Sequence, residues 1–262
     1  MSRMVHVHHF THGWFNPVMG FSLAFLGSLL GLGCTNRARA VPARRRRARW
    51  LVLGAISIGG VGIWLMHFMA MLGFAIPGSP VRYHPGLTAL SLLIAVVTVG
   101  AGLFVIGIGR RTLPRLLAGG MLTGTGVVAM HYTGMAALRI PGRISYESNL
   151  VVASVIIAVV AATVALWFAV SLRRGGPVTA AAVIMALAIS GMHYTGMAAV
   201  RVALRDSITE VGGVSPLLLI IPITVLTAGA LLATSFTALQ AMTQEELAGA
   251  PSPAGPATGL RH

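Results

Sequence analysis

Seven apolar runs, each close to the length of a bilayer-crossing helix, fix the solvent in which this chain folds. They cover about residues 17–34, 51–74, 87–108, 116–138, 150–172, 178–200 and 216–239. A hydrocarbon core of roughly 30 Å takes about 20 helical residues to cross. Inside it every backbone N–H and C=O must be satisfied within the protein, which leaves helices or closed barrels, and runs of this length are helices. The expected fold is an all-α integral membrane protein, a seven-transmembrane helix bundle. Only 9% of residues are charged and mean hydropathy is +0.84, against about a quarter charged in soluble domains. The runs divide the chain into a His-rich extracytoplasmic segment (1–16), a membrane domain (17–239) and a short cytoplasmic tail (240–262) whose Pro/Gly/Ala composition predicts disorder.

The net charge of +14 comes from arginine alone, since the chain has no lysine. Its distribution argues against nucleic acid as the partner. Arg37, Arg39, Arg44, Arg45, Arg46, Arg47 and Arg49 lie between the first two runs, Arg110, Arg111 and Arg115 between the third and fourth, and Arg173 and Arg174 between the fifth and sixth. The alternate loops hold only Arg82, Arg139, Arg143, Arg201 and Arg205. By the positive-inside rule the N-terminus is outside and the C-terminus cytoplasmic. The run at 44–49 anchors topology and also suits anionic lipid or a docking partner. No cleavage pattern follows the first run, which is expected to be a retained helix. The single cysteine, Cys34, excludes an intramolecular disulfide and reads as a small helix-end residue.

Met-His-aromatic occurs three times, at Met66-His67-Phe68, Met130-His131-Tyr132 and Met192-His193-Tyr194. The spacings of 64 and 62 residues reveal a repeat of one helix pair, and because each unit holds two spans the three copies are parallel repeats about an axis along the membrane normal. The odd-numbered spans match as well: Ser91-Leu92-Leu93-Ile94 recurs as Ser154-Val155-Ile156-Ile157, and Phe21-Ser22-Leu23-Ala24 is a weaker relative. The seventh span stands alone.

Each histidine lies 15 or 16 residues into its span, roughly 23 Å from the inner boundary, so all three share one depth in the outer leaflet. Met71, Met135 and Met197 follow four residues later on the same helix face; Met66, Met130 and Met192 precede their histidines and point about 100° away. Small residues (Ala70, Gly134, Gly196) sit between, and others occupy the two preceding turns, which allows close helix approach. Ionisable groups inside a bilayer are costly and usually functional. Neutral imidazole with thioether suits copper, particularly Cu(I), as one ion or two; zinc more often recruits Cys or carboxylate. Haem, through His/His or His/Met axial pairs, is the weaker alternative. The rings of Phe68, Tyr132 and Tyr194 either pack or, for the tyrosines, orient a ligand. His6, His8, His9 and His12 either deliver metal from outside or form a loose tail, while His84, Glu147, Asp206 and Glu210 read as solvated loop residues.

The sequence Met130-His131-Tyr132-Thr133, repeated as Met192-His193-Tyr194-Thr195 and degenerate as Met66-His67-Phe68-Met69, resembles the MHYT domain family, a bacterial integral membrane sensor module. The resemblance spans residues 17–239. It implies paired helices with the motifs near the outer face, copper held by the Met and His residues, and sensing of oxygen, carbon monoxide or nitric oxide. Family members often carry a cytoplasmic diguanylate cyclase or phosphodiesterase domain; the expectation here is a non-enzymatic sensor in the bacterial plasma membrane that signals through a separate cytoplasmic partner. Copper trafficking or transport is the alternative, and a structural membrane scaffold the third.

Overall fold

The computed structural model describes residues 2–5, 13–76, 79–109, 112–172, 176–205 and 212–216, with scattered positions between 218 and 236. Six described helices are long and apolar enough to span a bilayer: α1 (Phe15–Ala40), α2 (Arg44–Met71), α3 (Pro85–Gly107), α4 (Leu113–Ala136), α5 (Ser148–Ser171) and α6 (Gly176–Ala198). The described positions of the seventh run, from Pro216 to Phe236, are helical too, with Leu218, Ile221, Val225, Leu232 and Phe236 exposed. The protein is thus an all-α membrane bundle. The segments 6–12 and 237–262, which carry the N-terminal histidines and the tail, lie outside the described residues, as do Asp206 and Glu210.

Proline sets the starts of several helices. Pro85 opens α3 and Pro114 lies in the first turn of α4, positions where a missing N–H has no intrahelical partner to lose. His84, expected as a solvated loop residue, is exposed and also caps α3 by accepting the Leu87 N–H at Nδ1, 3.3 Å away. The arginines between the first two apolar runs also differ from expectation. Arg37 and Arg39 fall in the last turn of α1, where positive charge meets the C-terminal end of the helix dipole, and the run at 44–49 forms the opening turns of α2, leaving only residues 41–43 as a link. Unbranched arginine has good helix propensity, so the helices outrun their apolar spans. Arg39 donates to the carbonyls of Val170 and Leu172 at the end of α5 and to Asn36 Oδ1, fastening α1 to α5 at the end opposite the histidines.

The helices form a ring in which each packs on the next and α6 returns to α1. Very close approaches make this possible. A Cβ placed on Gly27 of α1 would lie 2.3 Å from the Gly62 nitrogen of α2, and one on Gly124 of α4 would lie 2.5 Å from the Val159 Cα of α5. Backbones this near gain dispersion contacts that lipid cannot offer at that range. In α2 the stretch Ile56–Leu65 is π-helical, a wider winding that is uncommon and concentrated at functional sites. The outer surface follows the lipid: Val152, Ile156 and Val160 of α5 recur every four residues and all are exposed.

Short strands replace the loops expected at the motif-bearing end. β1 (Ser2–Val5), β5 (Val200–Arg205) and β4 (Gly142–Tyr146) form an antiparallel sheet in that order, with Met4 and Arg143 both registered on Ala203; β2 (Arg82–Tyr83) pairs with β3 (Leu138–Arg139). They satisfy backbone groups just beyond the ends of the motif-bearing helices.

Candidate metal centre

His67, His131 and His193 leave α2, α4 and α6 four or five residues before each helix ends. The repeat therefore delivers three imidazoles to one level, and the closed ring turns them inward. They are 1%, 0% and 1% exposed. His67 Nδ1 stands 3.0 Å from His193 Nδ1 and 3.2 Å from His131 Nδ1. Ring centroids are 5.0, 5.0 and 5.2 Å apart, with planes inclined at 78°, 82° and 84°, so the rings stand like three blades around an axis. One coordinating nitrogen from each lies within 4.8 Å of the others.

This geometry suits a cation. A neutral imidazole nitrogen offers either one hydrogen or one lone pair, so the two Nδ1 contacts of His67 compete for a single site, whereas a positive ion among three lone pairs satisfies all of them. Bonds of about 2.0–2.1 Å at trigonal to tetrahedral angles place ligand nitrogens about 3.3–3.6 Å apart, a few tenths beyond the contacts at His67. On their far sides, Nε2 of His67 and of His131 are buried with no hydrogen-bond partner among the described residues. Each presses on a glycine of the following repeat: a Cβ on Gly134 would lie 2.4 Å from His67 Nε2, and one on Gly196 would lie 2.5 Å from His131 Nε2. The small residue between His and Met is thus the seat of the preceding repeat's imidazole.

All six motif methionines are buried, with exposures of 0–3%. Met71, Met135 and Met197 share the faces of their histidines. Two of the preceding methionines look elsewhere: Met66 lies against Gly20 of α1, its Sδ 3.9 Å from where a Cβ would stand, and Met192 lines a cavity below the triad. The motif aromatics take structural positions. The Tyr132 hydroxyl is 3.0 Å from Ser154 Oγ, and Phe68 packs edge-on to Tyr83 with centroids 6.0 Å apart. Above the triad, Asn16 donates to the Met69 carbonyl at 3.0 Å and Tyr83 to the Met71 carbonyl at 3.3 Å. Glu147, another expected loop residue, pairs with Arg201 at 2.5 Å, with both side chains about half exposed.

The serines of the odd helices were only partly read from sequence. Ser28, Ser91 and Ser154 are all 0% exposed and are spaced by 63 residues. Ser91 accepts from Trp64 Nε1 at 3.0 Å and Ser154 meets Tyr132, so each ties an odd helix to a motif helix. The weaker likeness at Phe21 to Ala24 is out of register with Ser28, which the 63-residue period marks.

Comparison with known proteins agrees with this repeat. The family model described as "MHYT: Bacterial signalling protein N terminal repeat" matches residues 60–119, 124–182 and 187–250, dividing the same period half a unit later and taking the seventh run into its third copy. The bifunctional diguanylate cyclase/cyclic di-GMP phosphodiesterase MucR of Pseudomonas aeruginosa is 42% identical over 195 residues, 71% of this chain and 28% of its own length. The cyclic di-GMP phosphodiesterase NbdA of the same organism is 37% identical over 188 residues, 69% of this chain and 23% of its own. An uncharacterized signaling protein of Caulobacter vibrioides is 36% identical over 163 residues, 62% of this chain and 20% of its own. The chain therefore spans about a quarter of the length of these curated relatives. No solved structure matches it. With three family repeats covering most of its length, the chain belongs to the MHYT family of bacterial signalling proteins.

Proposed function

We propose that this chain is a sensor, not itself an enzyme, in the bacterial plasma membrane, with its N-terminus outside and its C-terminus in the cytoplasm. Its histidine triad holds copper and responds to a diatomic gas, oxygen, carbon monoxide or nitric oxide, or to redox state. The observation that carries this reading is the convergence of three buried Nδ1 atoms, with contacts of 3.0 and 3.2 Å at His67, in a layer rich in thioether sulfur. His67, His131 and His193 are the primary ligands. Met71, Met135 and Met197 are the thioethers best placed by helix face, and Met66, Met130 and Met192 complete the soft surroundings. That donor set favours copper over zinc, whose sites usually include thiolate or carboxylate, and the six described spans contain no acidic residue. Imidazole contacts this short leave no room for a porphyrin plane. Copper would supply an electron-rich centre with affinity for π-accepting diatomics; the protein's share is to fix three nitrogens and shut out water.

Sensing further requires that the ligand bind two arrangements of the helices with different affinity. The response is read on the cytoplasmic side, and the cyclic di-GMP activities in the names of MucR and NbdA support cyclic di-GMP turnover as the class of output. Elemental analysis of purified, copper-supplemented protein is the test. Stoichiometric copper in the wild type and its loss on joint substitution of His67, His131 and His193 by alanine are expected. A wild type without copper refutes the reading.

A further inference from the structure

Below the triad, toward the middle of the bilayer, helices α2 to α6 line a partly open cavity of about 60 Å³. Its position relative to the triad is set by the repeat. Ile63, Val127 and Ile189 all line it, and each precedes its histidine by four residues, about one helical turn or 6 Å lower on the same face. Met192, adjacent to His193, lines it as well. The cavity therefore lies about one helical turn below the three imidazoles, with Met192 as the lining residue next to the motif histidines.

Its chemistry selects the occupant. Among the lining side chains only Thr123 has a hydroxyl, which is directed to the Thr98 carbonyl at 3.5 Å. A buried water needs two to four polar partners, and an ion would give up its hydration for one hydroxyl, so the walls suit a small, uncharged, apolar molecule. The triad itself is only 0–1% exposed, so the approach from its side is closed. On the bilayer side the wall is thin: Ala161 and Ala165 of α5 and Ala188 of α6 line the cavity and are partly exposed. Apolar gases dissolve better in hydrocarbon than in water, so this seam opens on the side where they are concentrated.

We infer that the cavity is a gas-docking chamber, which takes dioxygen, nitric oxide or carbon monoxide from the hydrocarbon between α5 and α6 and presents it to the inner face of the triad. The destination rests on the copper reading above; occupancy of the chamber does not.

Xenon separates the two. In the metal-free full chain in lipid nanodiscs, xenon NMR is expected to show saturable binding. Ala162→Leu, which fills the chamber from α5, should weaken that binding by about tenfold or more. In copper-loaded protein the same variant should keep its copper while carbon monoxide binds about tenfold more slowly or worse. Should this variant fail to fold, Ala158→Val narrows the same space with two carbons and is expected to give a smaller loss. Absence of saturable xenon binding in the wild type overturns the proposal, as does equal binding in the filled variants or an unchanged carbon monoxide rate. A chain that takes xenon but no copper retains the chamber as a gas site and loses the sensing reading.

Discussion

Gly134→Ala asks whether the triad is held by the seat beneath it. An added Cβ would stand 2.4 Å from His67 Nε2, 3.1 Å from its Cδ2 and 3.4 Å from its Cε1. Since comfortable contact begins near 3.5 Å, the ring must withdraw by about 1 Å. It cannot do so freely, because Nδ1 on the opposite edge already meets His193 at 3.0 Å and His131 at 3.2 Å. Metal sites tolerate about 0.2 Å of ligand displacement, so strain falls on the metal-bound state. Overpacking of this kind costs about 1–3 kcal/mol, which at 1.4 kcal/mol per tenfold is a loss of about 5- to 150-fold in metal affinity. Competition against a coloured Cu(I) chelator measures it. Gly191→Ala is the control, since no described residue lies within 4 Å of its added Cβ; it should leave copper affinity unchanged and raise stability by up to about 1 kcal/mol. A Gly134→Ala protein that binds copper as tightly as the wild type would refute the inward-facing Nδ1 geometry as the metal site.

Two further outcomes follow from groups away from the triad. Arg39→Ala should lower stability by about 1.5–3 kcal/mol, seen as a lower unfolding temperature in nanodiscs, because the carbonyls of Val170 and Leu172 lose a charged donor; copper stoichiometry should not change. Burial pushes the Tyr83 phenol above its ordinary value of 10.0, so the fold favours the protonated ring. That contribution is complete below pH 10.0 and declines as the pH rises further, because the unfolded chain releases the proton while the folded one retains it. Melting temperatures from about pH 8 to 11 should therefore fall less steeply in Tyr83→Phe than in the wild type, with Tyr146, also raised by burial, supplying part of the residual slope.

The spans and the level of the histidines were legible because both depend on one-dimensional quantities: length of apolar sequence and residues counted from its edge. What the sequence hid depends on neighbours. Nothing local marks Ile56–Leu65 as π-helical; its Gly59, which faces the Ala95 carbonyl with only 2.7 Å to spare for a Cβ, reads as an ordinary small residue of a membrane helix. Val200 to Arg205 does alternate in part, yet six residues beside an apolar span are ambiguous between strand and loop until β1 and β4 are known to flank them. The seating of His67 on Gly134 and of His131 on Gly196 is likewise a relation between repeats. The motif contains both partners, but it gives no sign that they belong to different helices.

A last substitution separates damage to the ring from damage to the site. Gly27→Ala would put a Cβ 2.3 Å from the Gly62 nitrogen, 2.5 Å from its Cα and 2.6 Å from the Ser57 carbonyl oxygen. All three are backbone atoms, so no rotamer change relieves the clash and α1 must move off α2 by about 1 Å. The shift strains the Asn16 contact at one end of α1 and the Arg39 clasp at the other, for a destabilisation of about 3 kcal/mol or more. None of the three histidines lies on α1, however, so the protein that remains folded should bind copper with nearly wild-type affinity. Gly134→Ala should show the reverse, a modest change in melting temperature with a large loss of affinity. If both variants lose affinity only in proportion to their loss of stability, the copper measurement is reporting global folding. The triad would then be a packing device of the bundle.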